Sequence, residues 1–246
     1  MTIPKIIHQI WIQGYDALPD DLKEKNMLIK KHNPYYRVIV WDETKILELL
    51  EYYPEVQKLY QDIPRLKGII KVMQSKSDVA RLIILKHYGG FYMDIDYSCP
   101  LSLDTIHDNT DQLIVVDSEY QFYKYIPVKY HPKYGASFWG IIPNHPALVD
   151  LLQELVKQDN RDNIGTLFDR YLQQHYYPIR IIDPKKVSSH TSCHQCSICY
   201  TPKKSNIFFG RELLVNIGCY GHNTYLVISL ILIIIIILIL CFRKKF

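Results

Sequence analysis

The sequence predicts an α/β domain followed by one membrane-spanning segment. Three observations carry this. Short runs of strand composition alternate with helical stretches between Ile6 and Lys157. Residues 75–96, SKSDVARLIILKHYGGFYMDID, read as a helix, a glycine stop and a short strand that ends in Asp-Ile-Asp. Residues 226–242 are apolar throughout except Ser229.

The elements follow in order. Residues 6–11 form a first strand, and residues 20–31 form a helix with Leu22, Met27, Leu28 and Ile29 set among charges. Asn33-Pro34 ends that helix, because the residue before proline avoids the helical region. Residues 37–41 are β-branched and aromatic, a second strand. A short helix over residues 44–53 stops at Pro54, and residues 55–71 are ambiguous, broken by Pro64 and Gly68. The next helix opens on Ser75 and Asp78, a partial capping box, and buries Val79, Leu82, Ile83 and Leu85. Gly89 and Gly90 reverse the chain into a strand at residues 91–93. Two further strands, at residues 113–116 and 136–142, precede a turn held by His145 and a helix over residues 147–157.

The acidic end of the central strand is where the chemistry concentrates. Continued as a strand, it points Asp94 and Asp96 the same way and turns Ile95 toward the core. Two like charges about 4 Å apart repel by roughly 4 kcal/mol at an effective dielectric of 20, so a positive partner is expected between them. A hard divalent cation that also takes phosphate oxygens fits, and a solvated acidic turn is the alternative. On the preceding helix, Asp78 and Arg81 lie three residues apart and share a face.

With its helix–Gly-Gly–strand frame, this run resembles the signature of the DXD sugar transferases of glycosyltransferase family 32. That family includes fungal mannosyltransferases of glycans and of inositol-phosphoceramide, and the large clostridial toxins carry a related signature. IPKIIHQIW at the N terminus, NPYYRVIVWDE at residues 33–43 and, more weakly, FWGIIPNHPAL at residues 138–148 match in the same order. The resemblance covers about the first 150 residues. It implies a GT-A type fold, a mixed, mainly parallel sheet flanked by helices, with the nucleotide bound at strand ends. It further implies that Asp94 and Asp96 hold Mn²⁺ or Mg²⁺, that Asp78 and Arg81 face the donor sugar and its phosphates, and that Trp11 stacks on the base. An ordinary ion pair for Asp78 and Arg81, and a core role for Trp11, are the alternatives from the residues alone. The family's Thr-Gly-Pro turn has at most a relic in Gly165-Thr166, and its late Trp is missing, with His222 the candidate for its late His.

Composition bounds the rest. Net charge is +4, from 29 basic and 25 acidic residues, too mild and dispersed for a nucleic-acid binder. Twenty tyrosines suit a polar, sugar-lined cleft. Cys193, Cys196 and Cys199 have a spacing that admits zinc or an iron–sulfur cluster, but free or partly disulfide-bonded thiols in a loop are the favoured reading. Residues 226–242 span about 25 Å as a helix, with Tyr225 and the basic residues 243–245 as anchors. The expected organisation is a catalytic domain over residues 1–220, a transmembrane helix over 226–242 and a basic tail over 243–246. No leader-like apolar run opens the sequence, which puts the domain in the cytosol, whereas the basic tail argues for the opposite side.

The reading that follows is a retaining, metal-dependent hexosyltransferase. Its donor is a nucleotide sugar, GDP-mannose first and a UDP-hexose second. Its acceptor is a membrane-associated glycan or glycolipid. The alternative is an inactive or weakly active GT-A membrane adaptor that binds nucleotide sugar without transfer.

Overall fold

The computed structural model describes residues 1–63, 69–97, 99, 101–108, 110–117, 134–158 and 164–183, which all fall in one compact unit, Met1–Ser189. The cysteine cluster, His222, the apolar segment 226–242 and the expected boundary at residue 220 lie outside the described residues. No helix among the described residues is long and apolar enough to cross a membrane.

The described strands are β1 (Ile6–Ile10), β2 (Arg37–Trp41), β3 (Gly90–Met93), β4 (Leu113–Asp117), β5 (Tyr134–Ile141) and β6 (Arg180–Ile182). They make one sheet in the order β2-β1-β3-β5-β4-β6. β2, β1 and β3 run parallel, β5 is antiparallel to both β3 and β4, and β6 is parallel to β4. The sheet is therefore mixed, with its parallel half leading toward the acidic run.

Period-two alternation divides the side chains between two cores. On one face Tyr92, Leu113, Val115, Trp139 and Ile141 pack against α2 (Glu43–Leu50), α3 (Pro54–Asp62), α4 (Ile69–Tyr88), α5 (Pro146–Gln158) and α6 (Ile164–Gln174). On the other, Ile7, Phe91, Met93, Ile114, Val116 and Phe138 pack with Ile29 of α1 (Asp20–His32) and with Leu103 and Ile106 of a short 3-10 turn. Burial on both faces explains why these strands are apolar runs.

Several expectations are corrected. Ser75 does not open the helix: α4 begins at Ile69, and Ser75 lies inside it, 8% exposed. Packing of the helix outweighs a local start signal that would begin it more than a turn late. Pro54 opens α3 at its first turn, where its missing N–H costs nothing, and so resolves part of the ambiguous stretch into helix. Gly165 and Thr166 lie in the first turn of α6, not in a loop.

The glycine stop holds, and for a stated reason. Gly89 and Gly90 have φ of 61° and 95°, and a Cβ on Gly90 would stand 2.6 Å from the Ile6 carbonyl. These residues let α4 run directly into β3 beside β1. The strand then ends at Met93. Asp94, Ile95 and Asp96 form a turn closed by the Tyr97 N–H donating to the Asp94 carbonyl at 3.1 Å. Strand alternation therefore does not govern the two aspartates, and Ile95 is half-buried rather than a core residue.

Candidate active site

The turn at Asp94 follows the end of β3, next to the end of β1, and α4 lies over it. Its backbone is pinned. The Asp94 N–H donates to the Ser137 carbonyl on β5 at 2.9 Å, and the Tyr97 and Ser137 hydroxyls meet at 2.6 Å. Tyr97 itself is fully buried.

Arg81 reaches this turn from α4 and gathers its charges. Its Nη2 lies 3.2 Å from Asp78 Oδ1 and 3.5 Å from Asp94 Oδ1, while Nη1 donates to the Ala136 carbonyl. The guanidinium stacks over the Tyr92 ring at 4.2 Å and near Trp139 at 5.3 Å. Tyr92 in turn donates its hydroxyl to Asp94 Oδ1 at 2.7 Å. Burial alone would lower the affinity of Arg81 for its proton, but Tyr92, Asp94 and Asp78 outweigh it and raise its pKa. The cation is thus fixed, and it is committed to two carboxylates at once.

Asp96 is compensated only in part. Burial, then the neighbouring Asp94 carboxylate, raises its pKa to about 7, against a smaller opposing pull from Lys25. Its Oδ1 is shut off from solvent and has no hydrogen-bond partner among the described residues. A buried carboxylate oxygen without a partner is costly. Here it sits beside a second carboxylate, a donor set that suits a hard divalent cation completing its shell with substrate oxygens. Among the described residues no group of three or more His, Cys, Asp or Glu side chains is gathered for a metal. Two carboxylates are what Asp94 and Asp96 offer.

Trp11 follows β1 directly and is half-buried; its indole N–H is likewise enclosed without a partner among the described residues. Trp41 has the core role instead, fully engaged: it is 5% exposed and donates to His8 Nδ1 at 3.0 Å. His145 holds its turn, accepting from the Ala147 N–H at 3.1 Å.

The structure thus brings together Asp78, Arg81 and Asp94, and places Asp96 within electrostatic reach of Asp94. Sequence reasoning missed Tyr92, although its spacing of two from Asp94 was a usable signal. It also missed Gln9 and Asn26, polar residues with 0% exposure close behind the turn.

The mixed α/β fold is similar to that of GT-A glycosyltransferases. The structure matches that of the PaToxG glycosyltransferase with a TM-score of 0.51 over 70% of each chain, at 19% identity. Residues 19–113 match the family described as the glycosyltransferase sugar-binding region containing a DXD motif, which spans α1 to the start of β4. An uncharacterised glycosyltransferase of Acanthamoeba polyphaga mimivirus is 30% identical over 66% of this chain and 59% of its own length. Inositol phosphoceramide mannosyltransferase 1 of Schizosaccharomyces pombe is 25% identical over 73% of this chain and 56% of its own. The chain therefore spans less than two thirds of the length of these relatives.

Proposed function

We propose that the protein is a hexosyltransferase that takes a sugar from a nucleoside diphosphate donor at the Asp94–Asp96 turn. The observation that carries this is the unpartnered, buried Asp96 oxygen beside the Asp78–Arg81–Asp94 cluster. Asp94 and Asp96 would hold Mn²⁺ or Mg²⁺, which when bound stabilises the charge developing on the leaving diphosphate. Arg81, held by Asp78 and Asp94, supplies a fixed positive charge at the same place, without reorganisation as the bond breaks. Asp78 orients the sugar by accepting from its hydroxyls. Trp11 stacks on the base and directs its free indole N–H at a donor oxygen.

The relatives' names support the finer reading. Inositol phosphoceramide mannosyltransferases make GDP-mannose the first donor to try, a UDP-hexose the second, and an inositol-bearing sphingolipid the first acceptor. The apolar segment 226–242 would tether the domain beside that acceptor, where lipid-borne partners are concentrated. Retention of anomeric configuration follows the family resemblance. With no second carboxylate assigned as nucleophile, a front-face route assisted by the leaving phosphate is the economical mechanism.

A screen of nucleotide sugars for Mn²⁺-dependent donor hydrolysis tests this. One donor should stand out, and its hydrolysis should survive truncation after Gly218 while transfer to a membrane acceptor falls. Nucleotide-sugar binding with no hydrolysis or transfer, across all donors, would support the inactive adaptor instead.

A further inference from the structure

Behind the acidic turn lies a buried pair of amides that the donor chemistry does not use. Gln9 on β1 and Asn26 on α1 are both 0% exposed. Asn26 Nδ2 donates to Gln9 Oε1 at 2.6 Å, and Gln9 Nε2 donates to the Asp94 carbonyl at 3.3 Å. The directions are not a matter of assignment. A backbone carbonyl only accepts, so Gln9 must offer Asp94 its NH₂, which leaves its oxygen for Asn26, which must then offer its own NH₂. One contact at the Asp94 carbonyl fixes both amides.

That carbonyl is the closing acceptor of the turn, because it also takes the Tyr97 N–H at 3.1 Å. It thus holds two donors, one from within the turn and one from β1. On the opposite side the turn is pinned to Ser137. The Gln9 contact is a hydrogen-bonded link between the Asp94 peptide and the β1–α1 layer. Two polar side chains buried in an otherwise apolar strand–helix interface are expensive unless the bonds they make are needed.

We infer that Gln9 and Asn26 form a positioning relay that sets the spacing of the Asp94 and Asp96 carboxylates for a divalent cation. The inference rests on the donor-site reading above. Neither residue touches the cation or the sugar. Both act through the Asp94 peptide, so their loss loosens the turn and leaves every proposed ligand in place.

The test is a titration of the full chain with Mn²⁺ alone, free ion being read by electron paramagnetic resonance, together with the KM for Mn²⁺ in donor hydrolysis. Gln9→Met removes the donor to Asp94, and Asn26→Leu frees Gln9 to turn away. Each should weaken Mn²⁺ binding about tenfold, the scale of losing an outer-layer partner, and raise the KM for Mn²⁺ in step. The KM for the donor at saturating Mn²⁺ should change little. The double variant should be no worse than Gln9→Met alone, because both act through one carbonyl. Asn26→Leu lies two contacts from the carboxylates, so it separates loosening of the turn from damage at Gln9 itself. Wild-type Mn²⁺ affinity in either folded variant, or losses that multiply in the double variant, overturns the relay. A wild-type chain that binds Mn²⁺ but turns over no nucleotide sugar sinks the transferase reading, while the Mn²⁺ titration still decides the relay. No saturable Mn²⁺ binding by the wild-type chain sinks both.

Discussion

Two arginines in this fold each hold two aspartates, and they do opposite work. Arg81 joins Asp78 and Asp94 with its side chain 8% exposed. Arg180, on the edge strand β6, joins Asp108 and Asp111 with its side chain 40% exposed. Both sets have the same composition. At the edge, Arg180 and Asp108 keep their contact with water, Asp111 alone is enclosed and is paired directly with Arg180, and the ion pairs fasten β6 beside β4. Under α4 the arginine itself is enclosed, its two aspartates share it, and the Asp96 oxygen left without a partner among the described residues is what makes this turn the proposed cation site. Burial of the shared cation, not residue type, separates the two clusters.

The comparison breaks most sharply at Arg81. Arg81→Met leaves the half-buried Asp78 and Asp94 without the cation they share and should cost about 3 kcal/mol in urea denaturation, with loss of donor hydrolysis.

Acid is the next lever. Burial lowers the His8 pKa from 6.5 to about 4. Above pH 6.5 the imidazole is neutral in both states, and its contribution is complete. As pH falls from 6.5 to 4 the unfolded chain binds a proton that the folded one refuses, so stability should drop by about 3 kcal/mol over that window. The edge cluster titrates elsewhere. Asp108, held low first by the Thr110 hydroxyl and N–H and then by Arg180, gives up its contribution only below the ordinary carboxylate range. Denaturation curves at closely spaced pH values should show the buried loss first.

Asp96→Asn should act with opposite signs on stability and function. It removes a charge that burial first, and the neighbouring Asp94 second, make costly, so the metal-free protein should gain on the order of 1 kcal/mol near neutral pH. The rise in Tm expected of the wild-type protein on adding Mn²⁺ should be absent. Arg180→Ala should have the smallest effect: a slight drop in Tm that shrinks further in salt, with donor hydrolysis unchanged.

What the sequence made legible, and what it hid, divides along the same physical line. Residues 37–41 read as a strand because β-branched and aromatic side chains are a local signal, and β2 has those bounds. Gly89 and Gly90 read as a stop because positive φ is a demand that glycine meets locally. The partnership of Asp78 with Arg81 was visible from helical spacing, and the structure adds Asp94 to it. Ser75 misled because a capping pattern is local while α4 is held by packing from residue 69 onward. The extension of the strand through Asp96 failed because a single bond, Tyr97 N–H to the Asp94 carbonyl, closes a turn that no periodicity announces. Gln9 was invisible because its partners stand 17 and 85 residues away.

The central claim is that the turn at Asp94 and Asp96 is where donor and metal meet. The direct measurement is Mn²⁺-dependent hydrolysis of the preferred nucleotide sugar by the Asp94→Ala, Asp96→Ala double variant, with circular dichroism and Tm establishing that it is folded. A loss of at least about a thousandfold, with the fold intact, is the predicted result. Wild-type turnover by that folded variant would place the chemistry elsewhere and contradict the account.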